Sequence, residues 1–512
     1  MKPNGVIFIV MAQSIISFTC RSKKQTVFQQ WEISGKPGKL ISFCALILFF
    51  SLYNPIFAQQ PFINWSQPYT SKGNFNFAGL QDSNFVVIQN RTDKEVVVRS
   101  FSPALAATAE TVLPFAGPEP PASYLISFVS DSGVVHTRYQ YDRKKDLMTI
   151  STDRSGKIQV LAAMKAIPQS FVYAVFSANR SKLLICNFYY HRKTNTVERD
   201  FVVLSTSANQ VLYSGTFAFN SLTGTSGEIK VDNLGNAYFG STTYQRSSSK
   251  LSGKSHATQQ VTVFTTNGRS VVFSVDFPGK YIPGIDIIQE HNKAVYITGF
   301  AYEEATRATR LTSADLFLYR IDPVQLVYTD SVYTTVNGLY PEGKLKEDDR
   351  LPYTIRHIYE KTTGGLVVIA EQYQQVTSQY SIKEKYNDIA CIGLNSDQSF
   401  QTMARIPKLQ FDFDNPSFLS TFIQDKVFLL YNDLQENLHS TGESVQYVAN
   451  KKDKNGLFLV TIGQDFKYKK ELLYGYDSGQ PMPVLKTGYA IDNRRILLCS
   501  DEQVGLLKFM DE

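Results

Sequence analysis

The residues best suited to chemistry in this chain are tyrosines and cations gathered where short apolar strands end. Tyr141, Tyr190, Tyr244, Tyr302 and Tyr373 each close such a strand. Just beyond them stand Arg143, Lys144, Lys145, Arg192, Lys193, Arg246, Lys250, Lys254, Lys383 and Lys385. An aromatic face can stack on a sugar ring, and a phenol adds a polar tip. Cations gathered on one rim focus an anionic ligand such as an acidic polysaccharide or a lipid headgroup. Arg143, Lys144, Arg192, Tyr244, Arg246, Tyr302, Tyr373 and Lys383 are therefore the candidate ligand-binding residues. A structural role competes with this. The rings would then pack between repeats with their hydroxyls reaching solvent, and the charges would simply solvate loops.

Catalytic and metal signals are weak. The chain has no GxSxG elbow, HExxH pair, P-loop or GxGxxG. Its six histidines, His136, His191, His256, His291, His357 and His439, stand singly, none at ligand spacing. Asp412-Phe413-Asp414-Asn415 and Asp453-Lys454-Asn455-Gly456 have the composition of Ca²⁺ loops, but Lys451 occupies the first ligand position of the second. Both are expected to be turns. The pairs Glu303-Glu304 and Asp348-Asp349 would serve acid/base chemistry only if facing carboxylates converged near an axis. No cofactor, metal or catalytic residue is expected.

The elements that must position these residues are strands. The tyrosine-ending strand reads VVHTRYQY (134–141), LLICNFYY (183–190), AYFGSTTY (237–244), VYITGFAY (295–302) and LVVIAEQY (366–373). Its return at intervals of about fifty to seventy residues marks a repeat architecture. In the clearest copy, strand A is 228–231, B 237–244, C 260–264 and D 271–277, with Asn267-Gly268 turning the second hairpin. Seven four-stranded units begin near 73, 122, 170, 227, 284, 353 and 416, and three strands of an eighth close the chain. The spare strand 62–69 can complete that eighth unit, because radial blades hide sheet edges when the ring closes. The expectation is an all-β fold, an eight-bladed β-propeller in one domain over 59–512. Seven blades are the alternative if the last segment is a cap.

In such a ring the A–B and C–D turns share one face, and the B–C and D–A connections share the other. The A–B and C–D turns are short. The B–C segments 245–258, 374–387 and 432–455 and the D–A segment 335–352 read as long loops, where binding is expected.

Residues 1–58 read as a leader, with a signal peptide over 36–58. Lys36 and Lys39 precede an apolar run over 40–53, and Ile56-Phe57-Ala58 offers a cleavage site. The run is too short to span a bilayer comfortably, and no membrane span is expected in the mature chain. Six leader cations against Glu32 hold most of the formal charge of +6, so residues 59–512 are nearly neutral and nucleic acid is not an expected partner. Of five cysteines, Cys186, Cys391 and Cys499 lie beyond the leader, each in an apolar strand, and are expected to be buried thiols. These features predict an exported protein, periplasmic or extracellular.

The segment VDNLGNAYFGS (231–241) resembles the D-x-x-G-N-x-Y-x-x-G core of secreted bacterial β-propeller repeats, and the Phe-Ala-Gln-Gln junction at 57–60 resembles those of secreted Bacteroidota proteins. The S-x-D-x-G-x-T-W box of sialidase-like propellers survives only as the fragment 151–156, and the repeated tryptophans of quinoprotein dehydrogenases are missing, with two in the whole chain. A non-enzymatic propeller that binds a protein partner or a glycan through the long-loop face is the expectation. A polysaccharide hydrolase or lyase with an axial site is the alternative.

Overall fold

The local geometry of the repeat is set by its A–B turn. In 231–241, Asp232 is buried and its carboxylate accepts from the backbone N–H groups of Leu234 (2.9 Å) and Asn236 (2.8 Å), from Asn236 Nδ2 (2.7 Å) and from the Tyr238 hydroxyl (2.8 Å). Gly235 stands at φ +95°, a conformation that costs a side chain dearly. The motif is thus a self-capped turn: aspartate gathers the donors, glycine supplies the backbone, and tyrosine fastens the next strand. Asn236 also donates to the Pro323 carbonyl (2.8 Å), tying this turn to the following blade.

A computed structural model describes residues 61–509 except 70–73, 93–94, 114–121, 142–146, 165–170, 221–223, 246–255, 278–279, 290–293, 304–312, 341–350, 378–381, 412–416 and 441–453. The leader with its signal segment lies outside the described residues. The strands form eight separate antiparallel sheets, each ordered A-B-C-D. Blade 1 opens with Asn74–Gln81, blade 2 with Ala122–Val129, blade 3 with Phe171–Phe176 and blade 4 with Gly224–Val231. Strand A of blade 5 is broken into Lys280–Tyr281 and Asp286–Ile288; blades 6 and 7 open with Tyr353–Glu360 and Phe418–Ile423.

Blade 8 settles the blade number. It comprises Tyr489–Asp492, Arg495–Cys499 and Val504–Lys508, and its fourth strand is the N-terminal Phe62–Trp65, in register from Phe62↔Lys508 to Trp65↔Gly505. The ring is an eight-bladed β-propeller, and the seven-blade alternative falls because the last three strands have their own outer partner. The closure is packed as well as bonded. A Cβ on Gly505 would lie 2.7 Å from the Trp65 ring, so the indole lies directly on that backbone.

Strands A contact one another around the axis, while strands D are the outer edges, as the exposed pattern of Gln210–Asn220 shows. Apolar residues of strands B and C fill the seams between blades: one cluster joins Ile369 and Cys391 of blade 6 to Leu429 and Val460 of blade 7 and Leu498 of blade 8. Cys186, Cys391 and Cys499 are free and buried, as their apolar strands predict. Burial pushes the thiols of Cys186 and Cys499 up to about 12 and that of Cys391 upward as well, so all three are inert packing groups.

Of the expected long loops, one is largely ladder and two show paired ends around 246–255 and 441–453, which lie outside the described residues. The segment 374–387 continues strands Leu366–Thr377 and Ile382–Leu394, pairing from Tyr373↔Tyr386 out to Thr377↔Ile382. Tyr373 lies opposite Tyr386 and Thr377 opposite Ile382, with the polar pairs Gln374↔Lys385 and Gln375↔Glu384 between them, a cross-strand pattern that polar composition concealed. In 245–258, the ladder runs to Gln245↔His256. In 432–455, pairing reaches Leu434↔Asn455 and a 3-10 turn follows over Gln435–His439. Among the described residues, blades 3 and 6 therefore project paired ribbons on the B–C face.

Candidate functional site

Among the described residues of the B–C face, blade 3 carries the expected chemistry in the open. Lys182–His191 and Thr196–Ser205 pair out to His191↔Thr196, leaving a turn over 192–195 with Asn195 at φ +51°. Tyr190 is 47% exposed, and its hydroxyl donates to Asn195 Oδ1 (2.7 Å). Arg192 and Lys193 are exposed beside it. Glu198 braces this tip from the opposite strand: it accepts from the Tyr189 hydroxyl (2.5 Å) and lies 2.9 Å from His191 Nε2. Those two contacts hold its carboxyl below its ordinary value. The result is an aromatic face, two free-standing cations and a braced imidazole at the end of one rigid hairpin.

The repeated tyrosines do not share one environment. Tyr302 is 3% exposed, and its hydroxyl accepts from the Tyr353 backbone N–H (3.1 Å) and from the Tyr340 hydroxyl (3.3 Å). It seals the seam between blades 5 and 6 and offers no face to a ligand, and its hydroxyl does not reach solvent. Tyr373 is half-buried and donates to Glu384 (3.1 Å). Lys383 lies in the blade 6 ribbon opposite Val376, and Tyr244 in the blade 4 ladder opposite Ala257. Arg143, Lys144 and Arg246 lie outside the described residues, as do Asp412, Asp414, Glu304, Asp348 and Asp349. Among the described candidates, Tyr373 and Lys383 share one ribbon, and Arg192 belongs to another.

Sequence reasoning missed the axis. The ladder skips Ala78 in blade 1, Leu125 in blade 2, Gly227 and Glu228 in blade 4, and Arg356 in blade 6. A bulge turns the extra residue out of the pleat and re-aims its side chain. The same device therefore presents aliphatic residues on blades 1 and 2 and charges on blades 4 and 6. Glu228 accepts the Ile287 N–H of the next blade (2.5 Å) and pairs with Lys230 (2.9 Å). Asp286 accepts the Ile355 N–H of the blade after (2.7 Å). Burial, then the Glu228 charge, push the Asp286 carboxyl up to about 8. Arg356 forks onto Glu371 through Nη2 (3.2 Å) and Nε (3.3 Å). Fully buried Glu371 also receives Lys408 Nζ and the Ser417 hydroxyl (2.8 Å). The signal available in sequence was a charge interrupting the short apolar strands A of blades 4, 5 and 6.

On the other side of the axis Arg180, in the A–B turn of blade 3, donates to the Phe77 carbonyl of blade 1 (3.0 Å) and lies over the Phe176 ring (4.0 Å) and the Tyr489 ring of blade 8 (5.0 Å). It ties blades 1, 3 and 8 together there. A cavity of about 230 Å³ stays open toward blades 4 to 6, at the A–B face, with Lys230, Gln289, Arg356 and His357 in its wall. Among the described residues no group of three or more His, Cys, Asp or Glu could hold a metal ion, and no helix is long and apolar enough to cross a membrane.

No protein-family model matches the chain, and no curated protein does. Solved structures similar to it include the WD40 domain of SCAP from fission yeast, at 9% identity over 89% of this chain and 96% of that one, with a TM-score of 0.41. A protein of unknown function from Bacteroides caccae is 12% identical over 66% of this chain and 94% of its own, with a TM-score of 0.27. A Lactobacillus plantarum protein is also 12% identical, over 67% and 88%, with a TM-score of 0.31. The propeller assignment rests on the strand register and closure described above.

Proposed function

We propose that the protein is an exported, periplasmic or extracellular binding scaffold. Its B–C face engages a glycan, acidic sugars first, or a protein partner of similar surface chemistry. The observation that carries this is the division of labour between the two ends of the ring. Glu228, Asp286 and Glu371 are committed to neighbouring blades and buried cations. The blade 3 tip instead leaves Tyr190, Arg192 and Lys193 toward solvent on a braced hairpin. An aromatic face beside cations suits stacking on an anionic sugar, and stiff ribbons lower the ordering cost of binding. The test is binding of the full chain to acidic and neutral oligosaccharides and to a cell-envelope protein extract. Salt-sensitive binding that Arg192→Glu with Lys193→Glu weakens about tenfold is expected. Binding that ignores both substitutions overturns the assignment of the face.

A second reading, polysaccharide hydrolysis or elimination at the axis, is favoured by one observation. Asp286 holds its proton near neutrality beside Glu228, the arrangement a general acid needs. Reducing-end or unsaturated-product release from acidic polysaccharides, lost in Asp286→Asn, would establish it.

A further inference from the structure

The cavity at the A–B mouth of the axis lies at the other end of the ring from the proposed binding face. Its wall takes residues from four successive blades, so it depends on the closed ring. Three groups in that wall carry or can carry positive charge: Lys230 from blade 4, and Arg356 and His357 from blade 6. The side chains of Lys230 and Arg356 keep 38% and 30% of their surface accessible. Arg356 owes its position to the bulge between Ile355 and His357, which turns it out of the ladder.

The acids nearby are already answered. Asp232, the carboxylate in the wall, is saturated by its four donors within the A–B turn. Glu228 divides its two oxygens between the Ile287 N–H and Lys230. Glu371 is shared by Lys408 and Arg356, and Asp286 is largely uncharged near neutrality. An ammonium has three donors and a guanidinium five, so Lys230 and Arg356 retain N–H groups after these bonds. His357, stacked parallel on Tyr359, borders the same wall with its ring held in place.

We propose that this axial pocket is a second binding site, for a small carboxylate, with Lys230 and Arg356 holding the anion and His357 and Gln289 the adjoining hydroxyls. A cavity of about 230 Å³ is smaller than the roughly 300–1,000 Å³ of drug-sized sites and limits the ligand to about one sugar ring or a short hydroxy acid. The ligand enters from the A–B face, where Lys230, Asp232 and Gln289 stand at the ends of their strands A.

The test is calorimetric titration of the full chain with glucuronate, galacturonate and malate, with glucose and galactose as neutral controls. Saturable binding of at least one carboxylate is expected, with none of either neutral sugar. Lys230→Gln, whose side chain is partly exposed and makes one ion pair, weakens that binding about tenfold. His357→Gln weakens it less, and a Lys230-dependent component of uronate and malate binding persists in the Arg192→Glu, Lys193→Glu protein. Binding of a uronate alone assigns an acidic sugar; binding of malate as well assigns a general hydroxy-carboxylate. The proposal is overturned if no carboxylate binds saturably, if the neutral sugars bind equally well, or if affinity survives Lys230→Gln unchanged. Loss of carboxylate binding in the Arg192→Glu, Lys193→Glu protein would also overturn it, by placing the site on the B–C face.

Discussion

The Asp286 carboxylate on blade 5 accepts the backbone N–H of Ile355 on blade 6 at 2.7 Å, and Glu228 does the same for Ile287 one blade earlier. The seams of blades 4 to 6 are thus stitched by side-chain acids where a sheet has no strand to offer.

That stitch has a pH signature. Asp286 rises from the ordinary carboxyl range to about 8 through burial and the Glu228 charge, with Arg356 and Lys230 opposing. The folded chain therefore keeps a proton that the unfolded chain loses above about pH 4. Its contribution is fully present below the unfolded value and is lost as pH rises through about 8. Asp286→Asn keeps the acceptor and removes the titration. Between pH 5 and pH 9, the wild-type melting temperature should fall by roughly 2–4 °C more than that of the variant. Parallel profiles would show that Asp286 titrates normally.

His136 runs the other way. Its Nδ1 lies 2.8 Å from the Ser151 hydroxyl and 3.2 Å from Asn209 Nδ2, and burial with the neighbouring Arg138 lowers its value to about 4. The folded state excludes the proton, so this stability is present above the unfolded value of about 6.5 and is lost as pH falls toward 4. His136→Gln should flatten the wild-type stability loss between pH 6.5 and pH 4, measured by urea unfolding.

The Glu371–Lys408 pair is buried on both sides, and the lysine loses basicity to burial while the glutamate opposes that loss. Removing one partner strands the other. Glu371→Ala should cost about 3–5 kcal/mol, and the double variant Glu371→Leu, Lys408→Met should recover most of it. Denaturant midpoints of the single variant and the double variant decide this.

Ring closure gives a sharper test of the fold. A methyl group on Gly505 meets the Trp65 ring, so Gly505→Ala should cost about 1–3 kcal/mol, while the same change in the Trp65→Ala background should cost little. Additive costs would mean that the N-terminal strand does not lie on blade 8.

Much of this fold was legible because each blade repeats strong local signals. Asn267-Gly268 and the 231–241 motif mark their turns by composition alone, and the unpaired strand at 62–69 announced the closure. Ribbon ends and loops were confused where Gln374, Lys383 and Lys385 dilute an alternating pattern that only the partner strand reveals. Tyr302 and Tyr190 occupy like places in their strands, yet one is sealed by Tyr340 and Tyr353 and the other stands in solvent. That difference belongs to neighbouring blades and leaves no local trace. The axial charges escaped for the same reason: Asp286 and Arg356 meet only when successive blades are set side by side.

The proposal that the ring binds an acidic glycan without turning it over is tested most directly by affinity electrophoresis through gels containing acidic or neutral polysaccharide, which reads both outcomes at once. Retardation of the full chain in an acidic gel is expected, relieved by Arg192→Glu with Lys193→Glu and with no clearing of the polysaccharide. A clearing zone that vanishes in Asp286→Asn, with mobility indifferent to the blade 3 substitutions, would contradict the account and make the axis an active site.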